Sequence, residues 1–275
     1  MIAPVVLFVF AGRKPNMELQ LRWARRVLQL NPTVDYHIWN LARDPADAAW
    51  LQTLAADRIT VRNEYAATGS GEGMNLVWRH YTHPRYRGTV FVKVDDDVVF
   101  LDPYRFADLT AAARTAPGLI VGADVINNGA CGAGHPELAG CHPLRVHASN
   151  PAADWAHTWF TQRWAAAVTA PIRLAPQPGW MSINAIALNW AMTRQLAGLL
   201  GRRAPPLIAG HRPGRKRIGD EGAANLLPRA VLWGVMAAHL SFGPQHATEQ
   251  QLNRWRAGYS AILDAHLAPE TAGMP

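Results

Sequence analysis

The chain has 275 residues, of which 49% are apolar and 17% charged, and 27 basic side chains against 20 acidic ones give a net charge of +7. A chain of this length and apolar content builds one large domain or two small ones, which excludes a disordered polypeptide. No apolar run reaches the roughly 20 residues of a bilayer span, and two cysteines imply no disulfide framework.

The chain opens on a continuous apolar run, residues 2–10, that reads as a strand buried on both faces of a parallel sheet. It is too short for a span and is followed at once by Gly12-Arg13-Lys14, so a cytoplasmic protein is expected. Pro15 then opens a helix in which Leu19, Trp23, Val27 and Leu30 recur at helical spacing. Residues 34–39 predict a second strand, Asp44-Pro45 a capped second helix, and residues 58–62 a short third strand. A helix over 70–81 leads into the strand 89–94, TVFVKV, which ends on Asp95, Asp96 and Asp97. Beyond residue 103 the pattern predicts a helix, a strand at 118–125, and a Gly, Asn and His-rich loop from 127 to 150. A Trp-rich helix over 154–168 and a strand and helix within 180–200 follow. The segment from Arg202 to Arg217 has six Lys and Arg, no acid and three prolines, and reads as a mobile loop. A short helix from Asp220, a strand at 231–238 and a helix from Thr248 close the chain. Strands alternating with helices imply an α/β fold with a mostly parallel sheet, whose ligands sit at the carboxyl ends of the strands.

Charge is unevenly spread. Residues 1–102 hold 12 basic and 11 acidic side chains, residues 103–219 hold 12 and 4, and residues 220–275 hold 3 and 5. The excess of +8 in the middle is almost all arginine. Arginine-rich coding and an anionic partner both account for it, since guanidinium forks bind phosphate bidentately.

Three adjacent carboxylates at the end of a buried strand repel one another and stay ionised most easily beside a cation. Oxygen ligands suit Mg2+ or Mn2+, which leave positions open for phosphate oxygens. The plainer reading is a solvated acidic turn before the helix cap Asp102-Pro103. Cys131, His135, Cys141 and His142 offer four soft ligands within twelve residues, but their spacing lacks the C-x2-C pairing of zinc loops, and buried thiols are the simpler expectation.

The segment VFVKVDDDVVFLD, residues 90–102, resembles the DxD region of nucleotide-sugar glycosyltransferases of the GT-A fold. The opening VLFVFAGRK, Gly219-Asp220-Glu221 and His239-Leu240-Ser241-Phe242 extend the likeness along the chain. The resemblance implies a single GT-A-like domain, with residues 1–102 binding the donor and 103–275 the acceptor. It places Ala11, Gly12 and Arg13 at the nucleotide, Asp95 and Asp96 at the donor, and Asp95 and Asp97 on Mn2+ or Mg2+. His239 would be the third ligand, with His246 in reserve. Asp220 or Glu221 would be the general base of an inverting hexosyl transfer, although the family's commoner order is Glu then Asp. Trp180 and Asn184 would stand on the sugar and acceptor side.

The implied activity is transfer of a sugar from a nucleotide-diphosphate donor to a hydroxyl. Its rivals are a nucleotidyltransferase, for which AGRKP is a short phosphate loop, and a non-enzymatic nucleic-acid-binding module, which leaves the three aspartates unexplained. The basic segment Arg202 to Arg217 favours duplex DNA carrying a hydroxymethylated base as acceptor, as for glycosyltransferases of bacteriophages. A surface glycan or an undecaprenyl-linked sugar is the alternative. A bacterial or phage-infected cytoplasm would be the setting.

Overall fold

The structure is a computed structural model that describes residues 4–68, 70–141, 146–213 and 215–268. Its first half runs β1 (Val5–Ala11), α1 (Lys14–Leu30), β2 (Val34–Asn40), α2 (Pro45–Gln52), β3 (Ile59–Arg62), α3 (Ser70–His80), β4 (Val90–Asp95) and β5 (Val98–Leu101). Next come α4 (Phe106–Thr115), β6 (Ile120–Ile126), the single turn α5 (Cys131–Gly134), α6 (Asn150–Thr169), β7 (Arg173–Pro176) and β8 (Ala185–Asn189). The chain then forms α7 (Trp190–Leu199), α8 (Asp220–Asn225), β9 (Arg229–His239) and α9 (Glu249–His266).

One sheet runs through both halves in the order β3-β2-β1-β4-β8-β6-β9-β5, with β7 pairing the other part of β9's edge. The block β3-β2-β1-β4 is parallel, as is β6 on β9, whereas β8, β5 and β7 run antiparallel to their neighbours. The α/β class therefore holds, with a mixed sheet whose parallel half carries the first four strands.

Alternation along β1 explains the layers. Val5, Leu7 and Val9 face a core shared with Trp23 and Val27 of α1, Phe160 of α6 and Tyr259 of α9. Val6, Phe8 and Phe10 face a second core with Val77 and Trp78 of α3 and Leu196 of α7. A strand covered on both faces must be apolar at every position, which is what VVLFVFA supplies. The helix starts follow local rules. Asp44 accepts from the N–H groups of Ala46 and Asp47 at the head of α2, and Thr248 and Gln251 form a reciprocal capping box on α9.

Two strands were not expected. β5 follows directly on the two-residue turn Asp96-Asp97, and β7 is a mostly exposed edge strand ending in Pro176. The expected loop at 127–150 contains helical turns at Cys131–Gly134, Pro136–Cys141 and Val146–Ala148. The segment from Arg202 to Arg217 is also not an unstructured loop. Gly201 N–H donates to Ile218 O, Ile218 N–H to Arg202 O, and Ala204 N–H to Lys216 O, all at 2.9 Å. Ile208 and His211 exchange both backbone hydrogen bonds around Ala209 and Gly210, which take φ of 48° and 82°. The segment is thus an irregular hairpin, pinned at its tip by the buried Ile208.

Gly234 bends β9. Its φ is 86°, and a Cβ there would stand 2.8 Å from Pro171 O. The register against β6 jumps from Leu232 to Met236 across this bulge, so the first part of β9 pairs β7 and the last part pairs β5. That last part sets His239 directly across from Val98.

Candidate functional site

The site forms where β1, β4 and β9 end together. Register places Phe10 beside Asp95, so the loop Gly12-Arg13 lies against the turn Asp96-Asp97. A Cβ on Gly12 would meet Asp96 Oδ2 at 3.4 Å, an ordinary contact. From the other side, pairing of Val98 with His239 is continued by Leu240 N–H donating to Asp97 O at 2.8 Å. Asn184, just before β8, accepts from the Asp95 N–H through its carbonyl at 2.8 Å.

Each aspartate has its own partners. Asp95 accepts from the Lys93 ammonium and, at 3.1 Å, from the Asn184 amide. Lys93 is buried and donates also to Ile183 O at 2.9 Å, so its charge is held by protein groups. Asn184 is held in turn by Asn128, whose amide donates to it at 3.0 Å. Asp96 receives the Arg13 guanidinium on both oxygens. Asp97 Oδ2 takes the same guanidinium at 2.9 Å.

The remaining oxygen is the informative one. Asp97 Oδ1 lies 3.0 Å from His239 Nε2, yet it is buried without a hydrogen-bond partner, as is His239 Nδ1. The two atoms are close but not aligned as donor and acceptor. Ligands at right angles on a six-coordinate ion, each about 2.1 Å from it, stand about 3.0 Å apart. One ligand atom each from Asp95, Asp97 and His239 lie within 4.8 Å of one another, and among the described residues this is the group that can hold an ion. Two carboxylates and an imidazole suit Mn2+ or Mg2+.

The electrostatics follow from burial against pairing. Burial raises Asp97, but His239 and Arg13 outweigh it and hold the carboxyl well below the usual range. Burial lifts Asp96 to about 6, with Asp97 and Asp95 adding to the rise and Arg13 opposing it. Arg13 is pulled down by burial but raised further by the three carboxylates.

Asp220 and Glu221 open α8 on the far wall of the same cleft. Asp220 accepts from the Trp78 indole at 3.3 Å, and Glu221 from the Trp180 indole at 3.2 Å. Burial raises the Glu221 pKa, as do the charges of Asp220 and Asp95, against hydrogen bonds from Trp180 and Ser182. A cleft of about 210 Å3 holds Asp95, Asn184, Asp220, Glu221, His239 and Phe242. A second cavity, of about 490 Å3, is lined by Trp180, Ser182, His211, Arg212, Phe242 and also Glu221. Glu221, and not Asp220, belongs to both.

The sequence-predicted residues therefore largely converge. Asp95, Asn184, Asp220, Glu221 and His239 line one cleft; Asp97 meets it through His239, Arg13 and Asp96 adjoin Asp97, Gly12 stands beside Asp96, and Trp180 is one cavity further. Ala11 is buried inside the sheet and can contribute only backbone. Three other candidate residues stand apart from this cleft. His246 is exposed at a left-handed turn with φ of 51°, away from the cluster. His135 is not available to a zinc loop, because its Nε2 contacts both oxygens of the buried Asp124 at 2.9 and 3.0 Å. Cys131 is packed into the apolar core, while the Cys141 side chain and His142 lie outside the described residues. Sequence reading missed Lys93, Asn128, Trp78 and His211. A lysine inside the apolar strand VFVKV was the one visible signal among them.

No protein-family profile matches the chain, and no curated protein matches it. Among solved structures, a mycobacterial protein aligns over 98% of this chain and 77% of its own, at 14% identity and a TM-score of 0.44. The glucosyl-3-phosphoglycerate synthase of M. tuberculosis aligns over 98% of this chain and 83% of its own, at 12% identity and a TM-score of 0.40. No helix among the described residues is long and apolar enough to cross a membrane.

Proposed function

We propose that the chain is a metal-dependent glycosyltransferase of the hexosyltransferase type, which moves a sugar from a nucleotide-diphosphate donor to an acceptor hydroxyl with inversion. The observation that carries this reading is the position of Glu221. Its carboxylate lies on the wall common to the Asp95 and His239 cleft and to the larger cavity lined by Trp180.

Asp95, Asp97 and His239 would hold Mn2+ or Mg2+, which neutralises the diphosphate as it departs. The backbone at Ala11 and Gly12 borders the nucleotide side. Arg13 holds Asp96 and Asp97 in place, and Lys93 and Asn184 fix the Asp95 carboxylate. The acceptor enters from the larger cavity. Glu221 takes the proton of its hydroxyl, the oxygen forms its bond to the anomeric carbon, and the bond to the diphosphate breaks on the opposite face. Asp220, tied to Trp78, shapes the cleft without reaching the acceptor cavity. Residues 1–102 thus serve the donor together with Asn184 and His239, and the rest of the later half serves the acceptor, for which hydroxymethylated duplex DNA, a glycan and a lipid-linked sugar are the alternatives.

The test is release of nucleoside diphosphate from a panel of nucleotide sugars, each with and without Mn2+. Release that requires Mn2+ and falls in Glu221→Gln is expected. Release of pyrophosphate from nucleoside triphosphates and a sugar phosphate, with no nucleotide sugar consumed, would instead assign a nucleotidyltransferase.

A further inference from the structure

The hairpin between α7 and α8 itself lines a third, basic cavity of about 750 Å3. Its ionisable lining is cationic throughout: Arg203, Arg212, Arg215, Lys216 and Arg217, set among Pro205, Pro206 and Pro213. Arg212 and Pro213 also line the cavity that contains Glu221, so the two spaces adjoin.

These cations differ from arginines elsewhere on the surface. Arg22 pairs with Asp264, Arg62 with Glu64, Arg254 with Asp154 and Arg256 with Glu249. Among the described residues, none of the five lining the basic cavity is within ion-pair distance of a carboxylate. Arg217 alone has a marked hydrogen bond, to Gly201 O at 2.8 Å. Five like charges around one concavity repel one another, and a multivalent anion relieves that repulsion.

The hairpin is also prearranged. Ile208 is buried and would lie 3.5 Å from a Cβ on Gly222, in the turn of α8 that follows Glu221. His211 packs edge-on against Trp180 with ring centroids 5.6 Å apart. The arginines are thus mounted on backbone anchored to the element that carries Glu221, so ordering them on a ligand costs little chain entropy.

We infer that the acceptor carries a phosphate group that seats in this basic cavity while its hydroxyl reaches Glu221, so that the hairpin selects phosphorylated acceptors. Guanidinium forks recognise phosphate oxygens bidentately, and three prolines stiffen the backbone that carries them. The inference rests on Glu221 as the base of the proposed transfer, but phosphate binding can be read without metal or donor.

The experiment is calorimetric titration of glucose 6-phosphate into the metal-free protein, with glucose as the uncharged control. The wild type should bind the phosphate ester and not glucose. The double variant Arg212→Gln/Arg215→Gln should lose at least tenfold in affinity while its melting temperature is unchanged, and Asp97→Ala should bind as the wild type does. No binding, equal binding by the arginine variant, or loss in Asp97→Ala would overturn the inference. So would retention of a 20-base-pair duplex through these arginines by a protein that ignores glucose 6-phosphate. If glucose 6-phosphate fails while nucleotide-sugar turnover persists, the phosphate site falls and the proposed function stands. If both fail, both fall.

Discussion

Glu221 Oε1 accepts the Trp180 indole N–H at 3.2 Å, which aims a half-buried carboxylate from the first turn of α8 into the cavity that Trp180 lines. In the proposed transfer this carboxylate is the base and Asp220 beside it is not. Glu221→Gln should lower kcat by about 100-fold or more with donor KM unchanged. Asp220→Asn should cost less than about tenfold. Steady-state kinetics of both variants checks this, and a reversed order would move the base to Asp220.

The same carboxyl sets the pH dependence. Burial foremost, then Asp220 and Asp95, raise it above the ordinary value of 4.5. The base acts ionised, so kcat/KM should fall as pH drops through that raised value, with the acid limb above the ordinary carboxylate range. Trp180→Phe removes a hydrogen bond to the ionised form and should move the limb higher still. A carboxyl raised on folding stabilises the protein below its unfolded pKa and loses that contribution as pH rises through the folded one. Glu221→Gln should therefore melt higher than the wild type at neutral pH while turning over more slowly. Thermal melts at pH 4 and pH 8 would show the gap only at the higher pH.

Lys93 is the third test. Asp95, Asp96 and Asp97 carry three negative charges, and the half-exposed Arg13 and the buried Lys93 supply two positive ones. Lys93→Met leaves the cluster two charges in excess and should cost about 3 kcal/mol, the usual price of breaking a buried pair. Mn2+ should restore a larger part of the melting temperature in the variant than it adds to the wild type. Equal Mn2+ shifts in both proteins would detach Lys93 from the cluster.

The parallel block was legible because strands buried on both faces must be apolar throughout and amphipathic helices must repeat at helical spacing. VVLFVFA and the Leu19, Trp23, Val27 series are of that kind. β5 was not legible, because four residues after an acidic turn carry no period of their own. β7 was hidden by Pro176 and by its mostly exposed side chains. The hairpin tip at Ala209 and Gly210 uses positive φ at an alanine, where the usual sequence signal is asparagine or aspartate. In the site, Asp95, Asp97 and His239 were readable as strand ends. Their convergence depends on the bulge at Gly234 and on the pairing of β5 with β9, both of which are long-range. The choice between Asp220 and Glu221 required knowing which indole each one meets.

The central claim is that Asp95, Asp97 and His239 hold a divalent ion that binds the donor diphosphate. The most direct measurement is calorimetric titration of Mn2+, then of UDP, GDP, ADP, CDP and dTDP in turn with and without Mn2+, into the wild type and Asp97→Ala. At least one nucleoside diphosphate should bind the wild type ten times or more tighter with Mn2+ present. Asp97→Ala should stay folded and lose both the Mn2+ binding and that enhancement. Mn2+ binding that survives in Asp97→Ala, or nucleotide affinity indifferent to the metal for every nucleoside diphosphate, would contradict the account.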